Sequence, residues 1–457
     1  MKKQLMKMKK PIAILVALVI IFALAACTNN APAGSATAGN SSAGTSAGTS
    51  AGGASTAPVD LTWQTWTYEH PSMDPAIAAA QATDFPGVNV TMDLVPITDH
   101  YQKLKVALAS GGGPDVFDIQ SGASAAEFAE FCEPIGPLAE KAIGADWQSK
   151  FDEFAMQQAS VNGTPVGLPV GLSGAGILWC NKTLLDKYSV QPPKTLDDLK
   201  ALSATFRKNG ELPFCIGAKD GWNNEDAFQS IVADFNAQKY YDALAGKAKF
   251  TDPDIVSALN VWQKLFTEKT VQDGALGMSM YNDCTDLFLQ NKVPVLNVGL
   301  WWINNYTGND TFMKNVADGN SYLPIRFPDV NGDGKAPGLS MTINSIIVVN
   351  KNSKHKEEAM KVAESLAMGK IYQNMIDILW FSPSVKGTKP QGQYGGELQA
   401  NLDLMMGWMG DIAGSRQIAY PDLQKAIDDQ LQALAAEQTT PQKAAEAIES
   451  VSATLAR

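Results

Sequence analysis

Several of the ten tryptophans in this chain stand beside amides and carboxylates at the ends of short apolar runs. Trp66, Tyr68 and Glu69 follow one run. Gln120 and Ser121 follow another. Trp222, Asn223, Asn224 and Asp226 follow a third, with Gly221 allowing a tight turn. Trp301 and Trp302 follow a fourth. Flat indole and phenol rings stack on the apolar C–H faces of sugar rings, and sugar hydroxyls need amide, carboxylate or guanidinium partners. That mixture suits reversible capture of a carbohydrate. Any single tryptophan has core packing as its ordinary alternative. Trp262, at helical spacing with Val256, Leu259 and Phe266, reads as core, and Trp147 reads as structural.

Bond-making chemistry finds no support. Beyond residue 58 the chain has no Gly-x-Ser-x-Gly elbow, no phosphate-cradling loop and no His-x-x-x-His pair. The carboxylate pairs Asp197-Asp198, Glu225-Asp226 and Asp428-Asp429 read as solvated helix faces. Only His70, His100 and His355 are available as imidazole ligands, and no cysteines have metal-ligand spacing. The run from Asp329 to Gly334 begins like a calcium loop, with Asp329, Asn331 and Asp333 at alternate positions. Its twelfth position is Ser340 rather than Glu, and Pro337 lies inside, so it reads as a surface turn. Neither cofactor nor metal is expected.

The elements that must position these residues alternate. Strands are expected at 61–66, 88–95, 115–119, 176–179, 214–217, 293–298 and 345–349. Helices are expected at 75–83, 101–110, 195–208, 254–268 and 356–367, with the tail from 421 helical and restarted at Thr440-Pro441. Such alternation predicts an α/β fold built on a largely parallel sheet. Ligands of open α/β sheets bind beyond strand ends, where the residues above stand.

The first residues give the location. Five lysines precede an uncharged apolar run, 12–24, that closes on Leu24-Ala25-Ala26-Cys27. The run is short for a permanent membrane span and reads as a cleaved secretory signal, 1–26. Residues 28–58 are almost wholly Ala, Gly, Ser, Thr, Asn and Pro, so 27–58 reads as a flexible linker. About 400 residues remain, which favours two domains. Without the leader lysines the net charge is about −16, which excludes nucleic acid as a partner. Beyond Cys27 stand Cys132, Cys180, Cys215 and Cys284. Three pairings are open to them, while the apolar contexts of Cys180 and Cys215 favour free thiols.

The leader resembles the lipobox of bacterial lipoproteins, in which the cysteine becomes the lipidated N-terminus. The rest resembles the family 1 extracellular solute-binding proteins of ABC importers, the group that contains the maltose-binding protein. The carriers are Tyr101-Gln102-Lys103-Leu104 through Gly111-Gly112-Gly113-Pro114-Asp115, Asn162-Gly163-Thr164-Pro165, Leu178-Trp179-Cys180-Asn181-Lys182, Pro193-Lys194-Thr195-Leu196-Asp197-Asp198-Leu199, Gly299-Leu300-Trp301-Trp302 and Leu323-Pro324. Cys180 departs from the family, where tyrosine is frequent. The resemblance implies two lobes, 59–167 with 325–368 and 172–320 with 370–457, joined near 168–170, 322–324 and 367–369. Gly167, Gly171 and Gly369 suit hinge segments. The family's sugar-stacking tryptophan maps onto Trp301, and Trp380 falls in a loop bordering the cleft. The function implied is a lipid-anchored, monomeric, non-enzymatic receptor on the outer face of the cell membrane that passes a carbohydrate to an ABC permease. Two alternatives stand: a surface glycan-degrading enzyme, and a receptor for a non-sugar solute.

Overall fold

A computed structural model describes residues 57–66, 70–392 and 394–455. The leader, Cys27 and the linker through residue 56 lie outside the described residues, as do Tyr68 and Glu69. Strand β1, Val59–Thr65, buries Leu61 and Trp63 and pairs in parallel along its whole length with β2, Val88–Leu94. Its other edge pairs in parallel with β3, Val116–Ile119, at Trp63 and Gln64. Helices Met73–Thr83 and Ile97–Ala109 supply the crossovers that parallel pairing requires.

Beyond β3 the sheet changes direction. The chain leaves along β4, Leu168–Ala175, and a later segment comes back along β8, Leu339–Val349. These pair antiparallel from Ser340 with Ala175 to Ile347 with Leu168. The far half of β8 also pairs antiparallel with β3, and its first residues pair in parallel with β9, Ile412–Ser415. A second sheet holds β5, Ile177–Asn181, between β6, Val295–Asn297, and β7, Tyr322–Arg326, all antiparallel. The expectation of a largely parallel sheet is therefore corrected. Adjacent outgoing and returning strands run antiparallel, and only segments linked by helical crossovers stay parallel.

Two extensive cores follow. One gathers Leu61, Trp63, Ile77, Phe85, Trp147, Leu366 and Met375 around β1 and helices Met73–Thr83, Lys356–Met368 and Lys370–Asp377. The other gathers helices Leu196–Lys208, Gly221–Leu244, Pro253–Thr267, Pro421–Ala435 and Pro441–Ser452. The result is a two-lobe α/β fold. Trp262 lies in the second core and donates its indole N–H to the Leu431 carbonyl at 2.9 Å, as its helical spacing suggested. Among the described residues no helix is long and apolar enough to cross a membrane.

Local signals account for some elements and miss others. Thr195 and Asp198 form a reciprocal capping box at the start of helix Leu196–Lys208. The strand expected at 214–217 is replaced by single bridges from Phe214 to Val271 and Cys215 to Leu296. The residues after it open helix Gly221–Leu244, which is kinked at Asn236, instead of a loop. Residues 223–232 of that helix are all buried, so it carries no one-sided apolar stripe to read. Gly167 and Gly369 matter for close approach: a Cβ at Gly167 would lie 2.3 Å from the Ile347 carbonyl oxygen. At Gly369 it would meet Asp84 Oδ2 at 2.6 Å. Gly171, at φ +60°, also needs its conformational freedom.

Candidate functional site

The ends of β1 and β3 rest on a buried polar network. Asp118, fully buried, accepts from Trp63 Nε1 and Thr65 Oγ1, each at 2.8 Å. His100 Nε2 lies 2.9 Å from the Asp118 carbonyl, so that nitrogen carries the proton, and burial pushes its pKa down to about 4. The imidazole is thus a neutral prop for Trp66, whose ring meets it edge-on at 4.8 Å. Trp66 also leans on Tyr101 at 5.9 Å, and the Tyr101 hydroxyl accepts from the Gln120 backbone N–H at 2.9 Å. Packing on shared neighbours therefore joins Trp66 to Gln120.

Ser121, 1% exposed, continues the chain of contacts. Its Oγ lies 2.9 Å from Thr342 Oγ1 on β8 and donates to Gln158 Oε1 at 3.2 Å. Ser415 Oγ donates to the same Gln158 oxygen at 3.2 Å. Arg416 follows directly. Its Nε and Nη2 donate to the two Asp226 oxygens at 2.6 and 3.0 Å, a bidentate pair with side-chain exposures of 10% and 3%. Burial pushes the Asp226 carboxyl up and Arg416 pulls it back.

Aromatic rings enclose this guanidinium. Its central carbon lies 4.9 Å from the Trp301 ring centre and 5.8 Å from that of Trp222. Trp222 in turn faces Trp301 at 6.2 Å and Tyr281 at 5.5 Å. Tyr281 is 44% exposed and rides on the π-helical turn Met280–Cys284. Trp301 lies second in a 3₁₀ turn, Leu300–Asn304, and folds back over Gly299, where a Cβ would come within 1.9 Å of its ring. Only glycine fits beneath that indole.

Two hollows adjoin the cluster. One, of about 30 Å³, is lined by Leu172, Ser173, Trp301, Phe381, Met405 and Met409. It has room for about one water in this conformation. The other, of about 400 Å³, opens beside Gly221, Ala123, Ser124, Gln424 and Asp428. Trp301 and Phe381 line the smaller one, and no aromatic residue is among those lining the larger.

The predicted residues thus divide. Trp66, Gln120, Ser121, Trp222, Asp226 and Trp301 belong to one connected set. Asn223 is fully buried, and its amide bonds the Gly217 N–H and the Asn297 carbonyl, so it staples backbone. Trp302 is 3% exposed and packs edge-on against Phe288. Trp380 is half-buried against the core that holds helix Lys370–Asp377. Glu225 and Asp226 are 4% and 2% exposed, which overturns their reading as a solvated face. Arg416 and Tyr281 were not anticipated. Arginine scarcity is the one signal that points to the former, for the chain has only four. The Asp329 loop brings Asp234, Asp329 and Asp333 together. Both Asp329 oxygens already accept backbone N–H groups, from Gly332 at 2.7 Å and Gly334 at 2.8 Å, as a tight turn requires.

The chain is thus a two-lobe α/β protein with an aromatic cluster around a buried Arg416–Asp226 pair. The chain belongs to the bacterial extracellular solute-binding protein family, whose model matches residues 68–367. It is 26% identical over 263 residues to a probable sugar-binding periplasmic protein of Mesorhizobium japonicum, 56% of this chain and 57% of that one. It is 23% identical over 232 residues to an ABC transporter extracellular-binding protein of Pyrococcus horikoshii, 50% of this chain and 51% of that one. The chain spans about half the length of the curated relatives it matches. Among solved structures, one from work on xylan utilization by Caldanaerobius polysaccharolyticus superposes with a TM-score of 0.74 at 22% identity, covering 86% of this chain and 99% of the other. A maltose-bound MalE3 of T. maritima gives 0.70 at 18% identity, with 87% and 100% covered. These likenesses establish the fold.

Proposed function

We propose that this protein captures a carbohydrate, an oligosaccharide in particular, outside the cytoplasmic membrane and hands it to an ABC permease without altering it. The observation that carries this reading is the Trp222–Trp301–Tyr281 set around the Arg416–Asp226 pair. Indole and phenol faces suit sugar rings, and the fixed guanidinium offers donors to hydroxyls. The relatives named for sugar binding support it. Trp66 and Gln120 form the facing wall, Ser121 props it from within through Gln158 and Thr342, and Trp380 borders the cleft. Asn223 and Trp302 act through packing.

The lobes in this reading meet at β4 and β8, with helix Lys370–Asp377 on the side of β1 because its apolar face lies in that core. A hinge at these crossings opens the 30 Å³ hollow to admit ligand and closes it afterwards. Cys27 carries the lipid anchor, and a monomer hangs from the 27–58 linker. Cys27→Ser releases the protein from the membrane fraction or leaves it unprocessed; unchanged acylation refutes the anchor.

The test of the ligand class is a thermal-shift screen over mono- and oligosaccharides with amino acids and peptides beside them. A ligand bound only by the folded state raises the midpoint. A rise with peptides and none with sugars overturns the proposal. One observation favours a second reading, a glycan-degrading enzyme: the Glu225 and Asp428 carboxyls are both pushed up by burial, and Asp428 lines the 400 Å³ hollow. Product analysis after incubation with oligosaccharides separates the two, since hydrolysis lost in Glu225→Gln supports only the enzyme.

A further inference from the structure

We propose that Cys215 and Cys284 form a disulfide in the exported protein, fastening the turn that carries Tyr281 to the body of the fold. Their sulfurs lie 2.8 Å apart, both fully buried and separated by 69 residues in sequence. Two backbone segments are already docked around them. The Lys219 N–H donates to the Met278 carbonyl at 3.1 Å, and Asp220 Oδ2 accepts from the Met280 N–H at 2.8 Å. A Cβ on Gly217 would meet Met280 N at 2.4 Å. Cys215 itself bridges to Leu296 on β6. The sulfurs therefore reach a bond of about 2.05 Å by side-chain adjustment, with the backbones already in place.

Among the described residues the other two cysteines have no such neighbour. Cys180 lies fully buried in the helical core, and Cys132 donates its S–H to the Phe128 carbonyl at 3.3 Å in a different cluster. The pairing that sequence leaves open thus reduces to one. The family works outside the cell, where disulfides persist. Bond formation is thiol–disulfide exchange with a small-molecule or protein disulfide. One thiolate attacks it, forming a mixed disulfide and releasing one thiol. The second thiolate then displaces the other half as a second thiol. The pair loses two electrons and two protons, and the oxidant gains them. In the packed state the hydrogen bond to Cys284, and then burial, push the Cys215 thiol far up. Exchange therefore belongs to the folding chain.

The consequence is local. Met280–Cys284 is a π-helical turn, and its Tyr281 packs on Trp222. A bond at Cys284 anchors the end of that turn and limits how far Tyr281 can move.

The test uses the full chain exported by a host with working disulfide catalysis. The protein is alkylated with iodoacetamide in denaturant without reductant, then digested and mass-mapped. The expected result is alkylation of Cys132 and Cys180 and one cross-linked peptide holding Cys215 and Cys284. Alkylation of all four overturns the proposal, as does any other cross-link. Thermal melts supply a second readout: reductant lowers the midpoint of the parent by several degrees and leaves a Cys215→Ser, Cys284→Ser double variant unmoved. Equal sensitivity in both also overturns it.

Discussion

The Arg416 guanidinium sits 4.9 Å from the centre of the Trp301 ring while both of its forked donors are held by Asp226. One side chain thus joins the aromatic cluster to the first turns of helix Gly221–Leu244. The charge is nearly dry, and its partner keeps it tolerable there. A cation stacked on an indole is worth about 0.5–2 kcal/mol, less than the cost of leaving a buried charge without its partner.

Removing one partner of that pair is therefore costly. Asp226→Ala strands the guanidinium and lowers stability by about 3–5 kcal/mol. Adding Arg416→Met recovers part of the loss, since the uncompensated charge goes with it. Urea melts of the two single variants and the double variant check this. A double variant as unstable as the sum of the singles contradicts the account.

Glu225 and Asp428 make stability depend on pH. Burial is the largest cause of both upward shifts, and Asp428 rises from 3.8 to about 6. A carboxyl with a raised folded pKa binds its proton more tightly in the native state. Its contribution is fully present below the unfolded value near 4 and is lost as pH rises through about 6. Glu225→Gln keeps a donor toward Asp428 and removes the buried ionisation. The variant is predicted to be more stable than the parent at pH 8, with the gain vanishing near pH 4. Melts at the two pH values check this, and a pH-independent difference contradicts it.

Closure is measurable in solution. His70 Nε2 lies 3.0 Å from the Thr307 carbonyl, while the Ser72 N–H points at its Nδ1 from 3.1 Å. This contact ties the segment after β1 to helix Asn305–Gly308 in the present conformation. Small-angle scattering is predicted to give a smaller radius of gyration at saturating ligand. His70→Ala weakens that compaction at equal occupancy. An unchanged curve on tight binding rules out hinge closure.

Much of the architecture was legible because local physics wrote it. Val88, Val90 and Met92 alternate as a strand does, and the Thr195–Asp198 capping box marks its helix start. Sheet direction was not legible, because β4 and β8 meet across 165 or more residues and no local pattern states which way the second one runs. The start of helix Gly221–Leu244 was hidden because residues 223–232 are all buried. Of the site, Trp222, Asp226 and Trp301 stood out by residue type and position. Arg416 did not, since its partner Asp226 lies 190 residues away. Asn223 and Trp302 share their neighbours' positions, and only packing separates a ring or amide used inside from one offered outward.

Calorimetric titration of the parent and Trp301→Ala with the sugar found by screening tests the central claim most directly, with a melting curve beside each. Trp301 is half-buried and stacked on Arg416, so its loss removes the proposed sugar platform and a prop for the guanidinium. The predicted loss in binding is about 1–3 kcal/mol, roughly ten- to a hundredfold in Kd. The predicted stability cost stays below the about 3–5 kcal/mol of a core tryptophan. Near-parental affinity with a strongly lowered melting temperature would make Trp301 a packing residue and contradict a carbohydrate site built on it.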